Sequence, residues 1–116
     1  MKLIQWHKIS ESRLELFSGG THLAEVLAGE KAVCVAMVGE QLKACAAKCP
    51  HAGARMADGY IDVLGNIVCP LHRYKFSLSG GRNVSGEGYF LKTFAVEERE
   101  DGIYVGIEEK NGFWGV

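Results

Sequence analysis

The stretch Lys31-Ala32-Val33-Cys34-Val35-Ala36-Met37-Val38, then Gly39-Glu40, then Gln41-Leu42-Lys43-Ala44-Cys45-Ala46, decides the fold class. Two apolar runs flank a two-residue Gly-X connection, the local signal of a tight β-hairpin. With that turn Met37 pairs with Leu42, Val35 with Ala44 and Val33 with Ala46, giving one continuous apolar face. Cys34, Ala36 and Val38 share the other face with Cys45, Lys43 and Gln41. Cys34 and Cys45 then stand directly opposite each other. In a hairpin with a two-residue loop that pair falls at a hydrogen-bonded position, where the Cβ separation suits a disulfide poorly. Both are read as buried or half-buried free thiols.

Working outward, further strands are expected at His22–Leu27, Tyr60–Val63, Asn66–Cys69, Tyr74–Leu78, Tyr89–Val96 and Ile103–Ile107. Turn signals separate them: Ala28-Gly29-Glu30, Leu64-Gly65-Asn66, Ser79-Gly80-Gly81 and Asp101-Gly102. One short helix is expected over Glu11–Phe17, with Ser10 as its N-cap. Short strands at this spacing predict an all-β chain, an antiparallel sandwich or barrel.

Composition narrows the function. The chain has 116 residues, the size of one domain, and a net charge of −1, which excludes a generic electrostatic grip on nucleic acid. No apolar run approaches the roughly 18–20 residues of a membrane span. The start, Met1-Lys2-Leu3-Ile4-Gln5-Trp6-His7, lacks the apolar stretch and cleavage site of a signal peptide. A cytoplasmic location is expected, so the four cysteines are read as metal ligands or buried thiols before disulfides. Charge is uneven: residues 48–92 carry Lys48, Arg55, Arg73, Lys75, Arg82 and Lys92 against Asp58, Asp62 and Glu87, whereas residues 93–116 are strongly acidic.

The basic middle surrounds the chemistry. Cys49-Pro50-His51-Ala52-Gly53 and Cys69-Pro70-Leu71-His72 read as Cys-X-His, seventeen residues, then Cys-X-X-His. Each half supplies one thiolate and one imidazole, and each holds a proline that stiffens its loop. Coincidence requires two duplicated Cys-Pro-to-His patterns in a chain with only four of each ligand residue. A structural zinc of two Cys and two His needs tetrahedral closure, and zinc modules usually present Cys-Cys and His-His pairs instead. An asymmetric two-iron cluster fits the spacing: Cys49 and Cys69 on one iron, His51 and His72 on the other. His7 and His22 lie outside the motif and are read as surface or half-buried residues.

At these residues the chain resembles the Rieske family, specifically the small Rieske-type ferredoxins. The matching segments extend to Ala54-Arg55-Met56-Ala57-Asp58-Gly59, Arg73-Tyr74-Lys75-Phe76 and Ser79-Gly80-Gly81, and the outline runs from about Trp6 to Ile107. The resemblance implies one Rieske domain over residues 1–116 with a two-loop cluster-binding subdomain at roughly 46–86. It implies one 2Fe-2S cluster per subunit, held by Cys49, His51, Cys69 and His72, with electrons leaving through the two histidines. High-potential members of the family brace their loops with a disulfide. Ala54 and Leu71 occupy those positions here. Those members also donate Ser and Tyr hydroxyls to sulfur, where this chain has Tyr74 and Phe76. The implied role is one-electron transport, as the ferredoxin component passing electrons from a flavoprotein reductase to a terminal oxygenase such as a dioxygenase. Arg55, Arg73, Lys75 and Lys48 form a candidate basic collar for an acidic partner. The alternative is the small subunit of an assimilatory nitrite reductase beside its large subunit, although such subunits commonly lack some ligands. The roles of Phe113 and Trp114 stay open between a fold-back and a contact surface.

Overall fold

In a computed structural model, residues 2–51, 53–86 and 88–110 are described; Phe113 and Trp114 lie outside them. In chain order the elements are β1 (Lys2–Ser10), α1 (Arg13–Leu16), β2 (Leu23–Ala28), β3 (Lys31–Val38), β4 (Gln41–Ala46), a 3-10 turn (Met56–Asp58), β5 (Tyr60–Ile61), β6 (Asn66–Val68), β7 (Lys75–Ser77), β8 (Thr93–Arg99) and β9 (Gly102–Lys110). The larger sheet has the order β1-β9-β8-β4-β3-β2, and it curls until its two edge strands, β1 and β2, touch. A second, small sheet, β5-β6-β7, stands apart. All pairings are antiparallel, so the all-β expectation holds.

The hairpin register is as read: Met37 pairs with Leu42, Val35 with Ala44 and Cys34 with Cys45. β3 is buried on both faces. Val33 and Val35 pack inside the curled sheet with Ala44, Val105 and Ile107. Cys34 and Ala36 face the other way, into a second core with Cys45, Met56, Ile67, Phe76 and Leu91 that joins the two sheets. Cys34 and Cys45 are fully buried free thiols. The Cys45 thiol is pushed up by its hydrogen bond to Cys34 and by burial.

Several boundaries differ from expectation, each for a local reason. β1 has no expected counterpart because Leu3 and Ile4 are exposed and no alternation marks it; its ladder to β9, from Lys2↔Lys110 to Ser10↔Ile103, holds it instead. The helix is capped by Ser12, whose hydroxyl accepts from the Glu15 N–H, and not by Ser10. Ser10 is buried, and its hydroxyl shares its one proton between the Ser12 carbonyl and the Glu15 carboxylate, 3.0 and 3.1 Å away. Arg13 then ties α1 to the sheet through two bonds to Glu98, at 2.9 and 2.8 Å, and one to the Glu40 carbonyl at 2.8 Å. β5 stops at Ile61 because the Asp62 carboxylate accepts from the Leu64 and Asn66 N–H groups and turns the chain. The strand expected over Tyr89–Val96 begins only at Thr93. Before it, residues 79–86 and 88–92 lie in loop segments pinned by the bridges Phe76↔Asn83 and Arg82↔Phe90.

Candidate metal centre

The two loops that carry the Cys-to-His patterns close in the same way. The Cys49 N–H donates to the Ala54 carbonyl at 2.8 Å, and the Cys69 N–H donates to the Tyr74 carbonyl, also at 2.8 Å. Each loop is framed by an antiparallel pair, Lys48↔Arg55 for the first and Val68↔Lys75 for the second. The first loop turns at Gly53, whose φ of 71° glycine adopts without strain. Between Pro70 and Lys75 the second loop has no glycine, so His72 (φ 66°) and Arg73 (φ 57°) take the left-handed conformation themselves. Each such residue costs about 1–3 kcal/mol, a strain that clusters at functional sites. Neither residue type signals it; the absence of glycine in a loop that must reverse within six residues does.

The loops bring together all four residues singled out in the sequence. Cys49 and Cys69 point inward and are 2% and 0% exposed. His51 is half-buried and His72 is exposed. The imidazoles meet edge to edge, His72 Nδ1 lying 3.4 Å from His51 Nε2. The Cys69 thiol is pushed up by burial and by its hydrogen bond with Cys49, against a donation from the Leu71 N–H to its Sγ at 3.4 Å. A metal binding there must displace the thiol protons.

The donor set thus grades from soft buried sulfur to outward nitrogen. Among the described residues no three His, Cys, Asp or Glu side chains converge to hold a single ion. The four donors form two pairs, thiol with thiol and imidazole with imidazole. His51 Nδ1 is buried and has no hydrogen-bond partner among the described residues. Such an atom costs about 1–3 kcal/mol if nothing binds it. Sulfur and nitrogen pairs with an orphaned inward nitrogen fit a two-iron cluster.

The expected basic collar is smaller in the structure. Arg55 is engaged by Glu25 at 2.7 Å and Asp58 at 2.9 Å, and Lys75 lies 3.8 Å from Asp62. Arg73 and Lys48 remain as exposed cations beside the loops. His7 is half-buried and His22 exposed, and neither belongs to the loops. Sequence reading missed that two tyrosines enclose His51. Tyr74 lies two residues after His72, whereas Tyr89 arrives from the segment just before β8, which carries no local signal of that approach.

The family description Rieske [2Fe-2S] domain matches residues 5–89. The anthranilate 1,2-dioxygenase ferredoxin subunit of Burkholderia cepacia is 34% identical over 71 residues, covering 61% of this chain and 62% of that one. The nitrite reductase [NAD(P)H] of Emericella nidulans is 32% identical over 116 residues, 87% of this chain and 10% of that protein. Among solved structures, a chain in the complex of reduced oxygenase and oxidized ferredoxin in carbazole 1,9a-dioxygenase superposes with a TM-score of 0.72 and 28% identity, covering 91% of this chain and 96% of that chain. The chain spans 10% to 62% of the length of the curated relatives it matches.

This chain belongs to the Rieske [2Fe-2S] domain family. Its cofactor is the 2Fe-2S cluster of that family.

Proposed function

We propose that Cys49 and Cys69 hold one iron of the cluster and His51 and His72 the other, and that the chain is a one-electron carrier. In this reading it is the ferredoxin component between a flavoprotein reductase and a terminal oxygenase. The observation that carries it is the segregation of donors: two buried thiols behind, two imidazoles in front, the outer one exposed. When bound, the cluster accepts and releases a single electron. The cysteines anchor it to the core, and His72 presents an imidazole edge to whatever docks. Residues 46–86 act as the cluster-binding subdomain on the curled sheet. Free Cys34 and Cys45 suit a reducing, cytoplasmic setting, and among the described residues no helix is long and apolar enough to cross a membrane. The ferredoxin names of several relatives support the same role.

The test is electron passage: the loaded protein is expected to be reduced by NADH through a flavoprotein reductase and reoxidised by an oxygenase. A colourless, iron-free, zinc-loaded protein would sink the reading. Arg73 sits beside His72 and is exposed. Arg73→Glu is therefore expected to slow reduction by an acidic partner about tenfold at low salt and far less at high salt. Equal rates for both proteins at every ionic strength would remove Arg73 from the docking surface.

The potential follows from who donates to sulfur. Leu71 supplies a backbone N–H to Cys69, but Phe76, fully buried, has no donor to offer. Few donors disfavour the added negative charge, so the midpoint is expected below zero, in the lower part of the about −150 to +300 mV range of such centres. Potentiometry well above zero would contradict this. The similarity to a fungal nitrite reductase favours, as a second reading, the nitrite reductase small subunit. Stable association with a large nitrite reductase subunit, and no transfer to oxygenases, would select it.

A further inference from the structure

We propose that Tyr74 and Tyr89 are positioning residues for His51: their rings fix its imidazole plane, keep water off it, and thereby lower the midpoint of the loaded protein. The inference rests on the reading of His51 as an iron ligand. The two imidazoles of the site are not equivalent. His72 is exposed, whereas the His51 ring stacks on Tyr74 with centroids 3.8 Å apart and planes within 17°. Tyr89 approaches the same imidazole at 5.5 Å and 58°, and the two tyrosines lie 5.8 Å from each other. The three rings come from three different loops. His51 belongs to the first ligand loop, Tyr74 closes the second through its carbonyl bond to Cys69, and Tyr89 adjoins the bridged pair Arg82↔Phe90 of the third.

That enclosure has a geometric and an electrostatic consequence. Stacked and tilted aromatic contacts of this kind favour one ring orientation among several. In the orientation selected, His51 Nδ1 is buried without a hydrogen-bond partner and Nε2 faces His72. The imidazole is thus set before any metal arrives. Reduction adds one negative charge beside this ring. Water near the site stabilises that charge, and the flat apolar face of Tyr74 occupies the space water would take. Removing the ring admits water, favours the reduced form and raises the midpoint.

The test compares Tyr74→Leu, Tyr74→Phe and Tyr89→Leu with the wild type in three measurements. In iron-free protein, proton NMR is expected to show the His51 ring signals shifted upfield by stacking, restored toward ordinary values in Tyr74→Leu and unchanged in Tyr74→Phe. In loaded, reduced protein, Tyr74→Leu is expected to raise the midpoint and to alter one of two sets of nitrogen hyperfine couplings. Tyr89→Leu is expected to shift the same quantities by less. Tyr89 is partly exposed and lies outside the ligand loops, so that variant decides the matter if Tyr74→Leu fails to load. Wild-type midpoints and couplings in both leucine variants would overturn the proposal, as would iron-free Tyr74→Phe protein whose His51 ring signals match those of Tyr74→Leu. A wild-type protein lacking two nitrogen sets would instead remove the ligand assignment, whatever the tyrosines do.

Discussion

Cys69→Ala is expected to give a folded chain that retains about a tenth or less of the wild-type iron and inorganic sulfide. In the proposed assignment the buried Cys69 and Cys49 anchor the cluster, and losing one would leave an iron with a single thiolate from the protein. The fold itself should tolerate the change, because shortening one buried side chain by a sulfur atom costs only about 1–2 kcal/mol. Cys34→Ala is the matched control. Cys34 is equally buried and belongs to the same core, but it pairs with Cys45 across the hairpin and is part of neither loop. It is expected to lose similar stability and keep a full complement of iron. Iron and sulfide assays, with circular dichroism for folding, separate the two. Full loading in Cys69→Ala, or equal loss in Cys34→Ala, would contradict the assignment.

Gly59→Ala is expected to destabilise the protein by about 3 kcal/mol or more and to impair loading as well. Gly59 has a φ of −88° and so does not sit in the left-handed region that asks for glycine. Space asks for it instead: a Cβ there would lie 1.9 Å from the Val68 carbonyl oxygen. Val68 pairs with Tyr60 and immediately precedes Cys69, so relief of the clash moves the second ligand loop. Gly53→Ala isolates the other kind of glycine requirement. Nothing lies within 4 Å of its Cβ position, but its φ is 71°. Its cost is expected to be the smaller dihedral strain, about 1–2 kcal/mol. Urea denaturation of both variants measures the difference, and a Gly59→Ala protein as stable as Gly53→Ala would show that the small sheet yields to accommodate the methyl.

What the sequence disclosed depended on whether a physical signal was local. The Gly39-Glu40 turn carries its own register, so the pairing from Val33 to Ala46 was legible to the residue. The two Cys-Pro-to-His patterns were legible because each lies on one short loop. β1 was not, since its exposed Leu3 and Ile4 leave no alternation and its partner β9 lies at the other end of the chain. The start of β8 was misplaced because Tyr89 and Phe90 look like strand residues yet serve a loop, Phe90 being 67% exposed. The basic collar was overestimated for the same reason: Glu25, which engages Arg55, lies thirty residues away in sequence. The enclosure of His51 arises only from loops packed together.

Mössbauer spectroscopy on anaerobically reconstituted, oxidised protein carrying isotopically enriched iron bears on the donor pairing with the fewest intervening assumptions. Two distinct doublets of equal area, one for an iron held by Cys49 and Cys69 and one for an iron held by His51 and His72, are the expected result. A single doublet from two equivalent irons, or a preparation that takes up no iron and sulfide, would show that these four side chains do not divide between two metals.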